Sequence, residues 1–124
     1  MEFKNNKPVY FQIVDHITEN ILLGTWELDS RIPSVRQFAK ELEVNPNTVM
    51  RAYIYLKEKN ILYNKRGVGF FISMNSRDKL LQIKKEYLIS DELPEIFKSL
   101  EITGMSLVEL AQRYHQYIKE KSLE

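Results

Sequence analysis

Apolar positions recur along most of this chain at the spacing of a helix face. Between Pro8 and Gly24, the residues Tyr10, Ile13, Val14, Ile17 and Ile21 fall on one side of a helix, with Pro8 where a first turn tolerates proline and Gly24 as the stop. Pro33 then biases Ile32 toward an extended conformation, and Ser34 followed three residues later by Gln37 is the signature of a capping box. A second helix therefore begins at Ser34, with Val35, Phe38, Ala39 and Leu42 inward. Only Glu43 and Val44 separate Leu42 from the next start signal, Asn45 with Pro46, so a tight turn joins this helix to a third. The third helix places Val49, Ala52, Tyr53 and Leu56 inward, with Val44 available to staple onto Val49. It ends near Asn60, a residue type that accepts the left-handed conformation closing a helix.

The pattern changes after Asn60. Two short runs, ILYN and FFISM, flank the basic stretch KRGVG and predict a hairpin with a basic tip, to which the Ile32 segment can add a short third strand. Beyond Asn75 the helical spacing returns with Leu80, Leu81, Ile83, Tyr87 and Leu88, then with Leu93, Ile96, Phe97 and Leu100 up to Gly104, Pro94 marking a helix start or a kink. Ser106 with Glu109 opens a last helix carrying Leu107, Leu110, Ala111, Tyr114 and Ile118. The expected fold is mainly α with a small β-hairpin: a winged helix-turn-helix over residues 1–74, followed by a short helical region over 75–124.

Composition narrows the chemistry. A chain of 124 residues suits one compact domain or a small domain with an appendage, and the absence of cysteine removes disulfides, thiol catalysis and Cys-ligated zinc. The start MEFKNNKPVY lacks the features of a signal peptide, and no apolar run approaches the roughly 18 residues of a membrane span, so no membrane and a cytoplasmic location are expected. The net charge of +1 hides an uneven distribution. Residues 1–30 carry 2 basic against 5 acidic side chains, residues 31–74 carry 8 against 3, and residues 75–124 carry 8 against 9. An interior basic block fits a polyanion-binding surface, and equally a solvated patch.

The inward set of the third helix leaves Asn47, Thr48, Met50, Arg51 and Tyr55 on its other sides, a polar tip of the kind that reads base edges or simply meets water. Arg36, in the first turn of the second helix, opposes the helix dipole, which points to an external phosphate, with Ser34 beside it, or to a salt bridge with an acid such as Glu43. Lys65 and Arg66 beside Gly67 and Gly69 can reach a groove or backbone from the hairpin tip. Enzymatic readings find little: His16 and His115 are the only histidines, no metal-binding spacing joins them, GVGF is not a phosphate cradle, and no carboxylate pair is placed for acid–base work. No catalytic residue, metal or cofactor is assigned.

The blocks PVYFQI, RIPSVRQFAKEL, VNPNTVMRAYIYL and KRGVGFFI resemble, over about residues 8–73, those of the GntR family of bacterial transcriptional regulators, and VNPNTVMRAY with the short tail resembles its YtrA-like subfamily. The resemblance implies a homodimeric DNA-binding regulator, usually a repressor, on a pseudo-palindromic double-stranded operator. The DNA contacts it implies fall on Arg36, on Asn47, Thr48 and Arg51, and on Lys65, Arg66 and Gly67; the two cap residues Ser34 and Asn45 are further candidates for DNA binding by their place at the helix starts. Three positions depart from the family pattern: Asn45-Pro46 stands where Ser-Arg is common, Met50 where a basic residue is frequent, and Asn60 where glycine is usual. Base preference therefore does not transfer. The 50 residues of the tail do not easily enclose an effector pocket, so whether a small-molecule effector acts here stays open. The tail is expected to dimerise through Leu93, Ile96, Phe97, Leu100, Leu107, Leu110, Tyr114 and Ile118, or else to pack on the first helix. The competing functional reading is a winged-helix module for protein–protein contact.

Overall fold

A computed structural model describes residues 7–123; positions 1–6 and 124, which fall in the expected segments 1–74 and 75–124, lie outside the described residues. The first helix, α1, runs Val9–Leu22 and buries Ile13, Val14, Ile17 and Ile21 as its spacing predicts. Pro8 sits one position earlier than expected, as the cap, and its carbonyl accepts the Phe11 and Gln12 N–H groups at 3.1 and 3.2 Å. Gln12 is buried without any apolar pattern to announce it, and its side-chain amide donates to the Lys7 carbonyl at 2.8 Å.

Helix α2, Val35–Leu42, starts with the predicted capping box. The Ser34 hydroxyl oxygen accepts the Gln37 N–H at 3.2 Å while the Gln37 side chain accepts the Ser34 N–H at 3.0 Å. Glu43 then takes the left-handed conformation, φ 57°, and turns the chain into helix α3, Pro46–Glu58, which Asn45 caps. Asn60, at φ 61°, closes α3 as its residue type foretold.

Strands β1, Leu62–Lys65, and β2, Gly69–Ile72, pair antiparallel with Leu62 opposite Ile72 and Lys65 opposite Gly69, so Arg66, Gly67 and Val68 form the wing turn. The third strand is reduced to a single bridge between Arg31 and Phe71. Flanking bonds extend it slightly, from Ile32 N–H to the Phe70 carbonyl and from Ile72 N–H to the Ser30 carbonyl, both at 3.0 Å. Pairing stops there because the next residue that could bond to β2, Ser34, is taken up as the cap of α2.

The core of this part joins α1, α2, α3 and the wing around Tyr53, which has no solvent exposure. Its hydroxyl donates to the Pro33 carbonyl at 2.8 Å, and its ring packs edge-on against Phe70 of β2 at 5.2 Å. Burial first, and then the charge of Glu41, pushes the Tyr53 phenol far above its ordinary value, so it stays a neutral donor.

Helix α4 spans Ser76–Tyr87. By its contacts the chain divides into two compact units, one through Lys84 and one from Lys85. The first unit includes the start of α4, because Ser76 and Leu80 are buried with the winged-helix core. The second unit contains a π-helical turn, Leu88–Glu92, then α5, Leu93–Thr103, and α6, Leu107–Ser122. Pro94 produces no break: the Leu93 N–H reaches back to the Leu88 carbonyl, and this wider turn accommodates a proline that cannot donate in the ordinary ladder. Gly104, left-handed, ends α5, and the Ser106 hydroxyl oxygen caps α6 by accepting the Glu109 N–H at 3.1 Å.

The Tyr53 arrangement predicts graded losses of stability. Tyr53→Phe strands only the Pro33 carbonyl and should cost about 1 kcal/mol, whereas Tyr53→Ala also leaves a cavity and should cost on the order of 3–5 kcal/mol. Urea denaturation followed by circular dichroism measures both; equal losses would show that the hydroxyl, and not the ring, does all the holding.

Candidate nucleic-acid interface

The tip of α3 is fixed from behind by complete burial of Val49, Ala52, Tyr53 and Leu56 and from the front by its cap, in which Asn45 Oδ1 accepts the Asn47 N–H at 2.8 Å. Because the cap uses that oxygen, only the Asn45 amide N–H groups are left for an external acceptor. Asn47 and Arg51 are exposed one turn apart, and Thr48 between them is half-buried. Met50, 38% exposed, completes the outward side. Tyr55 departs from the expected arrangement: it is half-buried, its ring edge-on to Phe11 at 5.2 Å, and it belongs to the packing between α1 and α3.

A further residue enters the tip from α1. The Arg51 guanidinium lies over the Tyr10 ring, 4.0 Å from its centroid, and Asn45, Asn47, Thr48 and Arg51 line an open surface concavity together with Pro8, Val9 and Tyr10. The ring face holds the arginine by cation–π attraction while leaving the N–H edge of the guanidinium available. Tyr10 is in the apolar stripe of α1, so its spacing marks it as core. The signal that sets it apart is its place in the first turn, where a half-buried aromatic has one free face.

The remaining candidates stand at separate points. Ser34 and Arg36 are exposed at the start of α2, and Lys65, Arg66 and Gly67 are exposed at the wing. None of them lines the α3 concavity. Gly67 is required by its conformation, φ 78°, in the turn. Lys65 is not a free tether, since its ammonium lies 4.4 Å from the centroid of the Phe71 ring, which is itself stacked on Tyr63 at 5.5 Å. The Tyr63 hydroxyl donates to Asp29 at 2.6 Å, a bond that raises the phenol above its ordinary value. Among the described residues no carboxylate forms an ion pair with Arg36, Arg51, Lys65 or Arg66, and no cluster of three or more His, Asp or Glu side chains is placed to hold a metal. His16 is stacked against Phe38 at 6.0 Å.

In the second unit no described residue is buried. Of the eight expected dimerisation residues, Leu93, Leu100 and Leu110 are half-buried and Ile96, Phe97, Leu107, Tyr114 and Ile118 are exposed. No helix among the described residues is long and apolar enough to cross a membrane.

Comparison with known proteins agrees with this geometry. Residues 9–72 match the model of the bacterial regulatory proteins of the gntR family. The HTH-type transcriptional repressor YtrA of Bacillus subtilis is 32% identical over 121 residues, covering 98% of this chain and 89% of the relative. A crystal structure of a GntR-family transcriptional regulator from Bacteroides thetaiotaomicron superposes with a TM-score of 0.74 at 38% identity, covering 92% of this chain and 99% of that one. The AraR DNA-binding domain in complex with the operator ORR3 superposes with a TM-score of 0.53 at 25% identity, over 59% of this chain and 88% of that one.

The two caps position the tips of α2 and α3, and each should be measurable by itself. Ser34→Ala and Asn45→Ala are each expected to lower unfolding free energy by about 1 kcal/mol, and Asn45→Asp by much less, because aspartate caps equally well. Equal destabilisation by Asn45→Asp and Asn45→Ala would disprove the capping role.

Proposed function

The chain belongs to the gntR family of bacterial regulatory proteins, and from that premise we propose that this transcriptional regulator binds a pseudo-palindromic duplex operator as a cytoplasmic homodimer and represses transcription there. The observation that carries the reading is the α3 tip, polar and exposed on one side, fully buried on the other, with Arg51 pre-positioned on Tyr10. A recognition helix works in this way, since side chains held before binding lose less freedom on docking. Asn47 and Arg51 face base edges, where asparagine suits adenine and arginine suits guanine, and the Thr48 methyl meets a thymine methyl. Arg36 and Ser34 at the start of α2, Asn45 at the α3 cap, and Lys65, Arg66 and the Gly67 backbone at the wing grip phosphates. The protein acts by binding and performs no catalytic step.

Dimerisation through the second unit is supported by its surface. Phe97 is 54% exposed, Leu107 70%, Tyr114 60% and Ile118 45%, a set of apolar residues that a symmetric interface would cover. A dimer also doubles the bases read without new recognition residues.

Selection from a random duplex pool should return an inverted repeat. On that site, Arg36→Ala, Lys65→Ala and Arg66→Ala should each reduce the slope of log affinity against log salt by about one. By contrast Arg51→Ala and Asn47→Ala should lose roughly 1–3 kcal/mol on the selected site only. Affinity indifferent to salt would instead indicate a protein-contact module. For the dimer, Phe97→Glu with Leu110→Glu should give monomers in analytical ultracentrifugation that no longer prefer inverted repeats. An unmodified protein that is monomeric at tens of micromolar while binding the repeat fully would rule out this role for the second unit.

A further inference from the structure

The exposed face of the wing holds one more cation, supplied from outside the hairpin. Arg31, exposed, pairs with Phe71 across the isolated bridge, and residues paired across a sheet project to the same side. By strand alternation this side carries Phe71, Tyr63, Lys65 and the bare backbone of Gly69, while Leu62 and Ile72 are buried on the other. Gly69 makes the placement possible. It stands at φ 143°, and a Cβ there would come 2.9 Å from Arg31 Nε and 3.6 Å from Cζ. The guanidinium therefore rests on the Gly69 backbone, and Gly69 is the cross-strand partner of Lys65. Two cations from segments far apart in sequence thus meet at one rung of the sheet. Among the described residues neither forms an ion pair, and Asp29, the acid nearest in sequence to Arg31, accepts the Tyr63 hydroxyl instead.

Like charges assembled this way repel until an anion lies between them. We propose that Arg31 is a phosphate-binding residue of the wing, completing with Lys65 a two-cation grip on one backbone phosphate of duplex DNA over the floor that Gly69 leaves open. The guanidinium supplies a planar fork for two phosphate oxygens, and the lysine supplies a point charge from the other side. The inference rests on the duplex-binding function proposed above, and it gives the segment ahead of α2 a direct part in that function.

The test is the affinity of the full chain for a random-sequence duplex, read by fluorescence anisotropy over a potassium chloride series, for the unmodified protein, Arg31→Gln, Arg31→Lys, Lys65→Gln and the double variant Arg31→Gln/Lys65→Gln. Arg31→Gln should weaken binding several-fold and reduce the salt slope by up to about one, with an unchanged melting temperature, while Arg31→Lys should restore the slope. Because the two residues share a phosphate, the loss caused by Arg31→Gln should be smaller when Lys65 is already glutamine. An unchanged slope in folded Arg31→Gln would overturn the proposal, and so would fully additive losses in the double variant. Should Arg31→Gln fail to fold, Arg31→Met, which keeps the apolar stem and removes the charge, takes its place: a reduced slope supports the grip, and an unmodified slope overturns it. No binding by the unmodified protein would overturn the duplex-binding function itself, a result distinct from either failure of the Arg31 role.

Discussion

Tyr53 has no access to water, so its hydroxyl must find an acceptor inside the protein, and it finds the Pro33 carbonyl, 20 residues earlier. That bond joins the middle of α3 to the residue just before the α2 cap, and the same ring packs on Phe38 of α2 and on Phe70 of the wing. The α2 start, the α3 tip and the wing, which carry the proposed DNA contacts, are therefore referred to one buried side chain. Each is locally a short element that would not hold its position alone. Their shared contact with Tyr53 makes three weak supports into one frame, and it explains why a phenol, with a ring to pack and a proton to give, suits this position better than a purely apolar residue.

Around this frame the charged groups are held by aromatic faces more than by opposite charges. Arg51 lies on Tyr10 and Lys65 on Phe71. A carboxylate partner would have to be displaced before a phosphate could bind, whereas a ring orients the cation without neutralising it. The arrangement keeps the interior basic block of the sequence available as positive charge.

The sequence made the local devices legible and the non-local ones not. Ser34 with Gln37, Asn45 with Pro46, and Asn60 announced their helix ends because a cap is a contact between residues two to four apart. The inward faces of α1, α2 and α3 were equally plain, since one period governs each. What escaped depended on partners from elsewhere in the chain: the burial of Gln12, the seat of Arg51 on Tyr10, the packing of Tyr55 on Phe11, and the shortening of the Ile32 strand to a single bridge. The π turn at Leu88–Glu92 escaped for another reason: Pro94 announces a disturbance of the helix, but a widened turn and a break read alike in sequence. Among the candidate DNA-contact residues, the sequence indicated the exposure of all but the half-buried Thr48, but not that Tyr10 and Arg31 stand beside them.

Glu43 between α2 and α3, and Asn60 before the wing, are left-handed without being glycine, at φ 57° and 61°. Each such joint strains the native chain by roughly 1 kcal/mol, but its side chain also denies the unfolded chain many of the conformations glycine would allow. A glycine hinge would make the angle between the two helices easier to adopt and also easier to leave. With Glu43 there, the side chain narrows the backbone conformations open to the joint, which favours a stiff pairing of α2 and α3. Stiffness of this kind bears on discrimination: a helix pair that does not flex cannot adapt to a near-match sequence, and mismatched bases are then met as steric and hydrogen-bonding penalties instead of being absorbed by the protein.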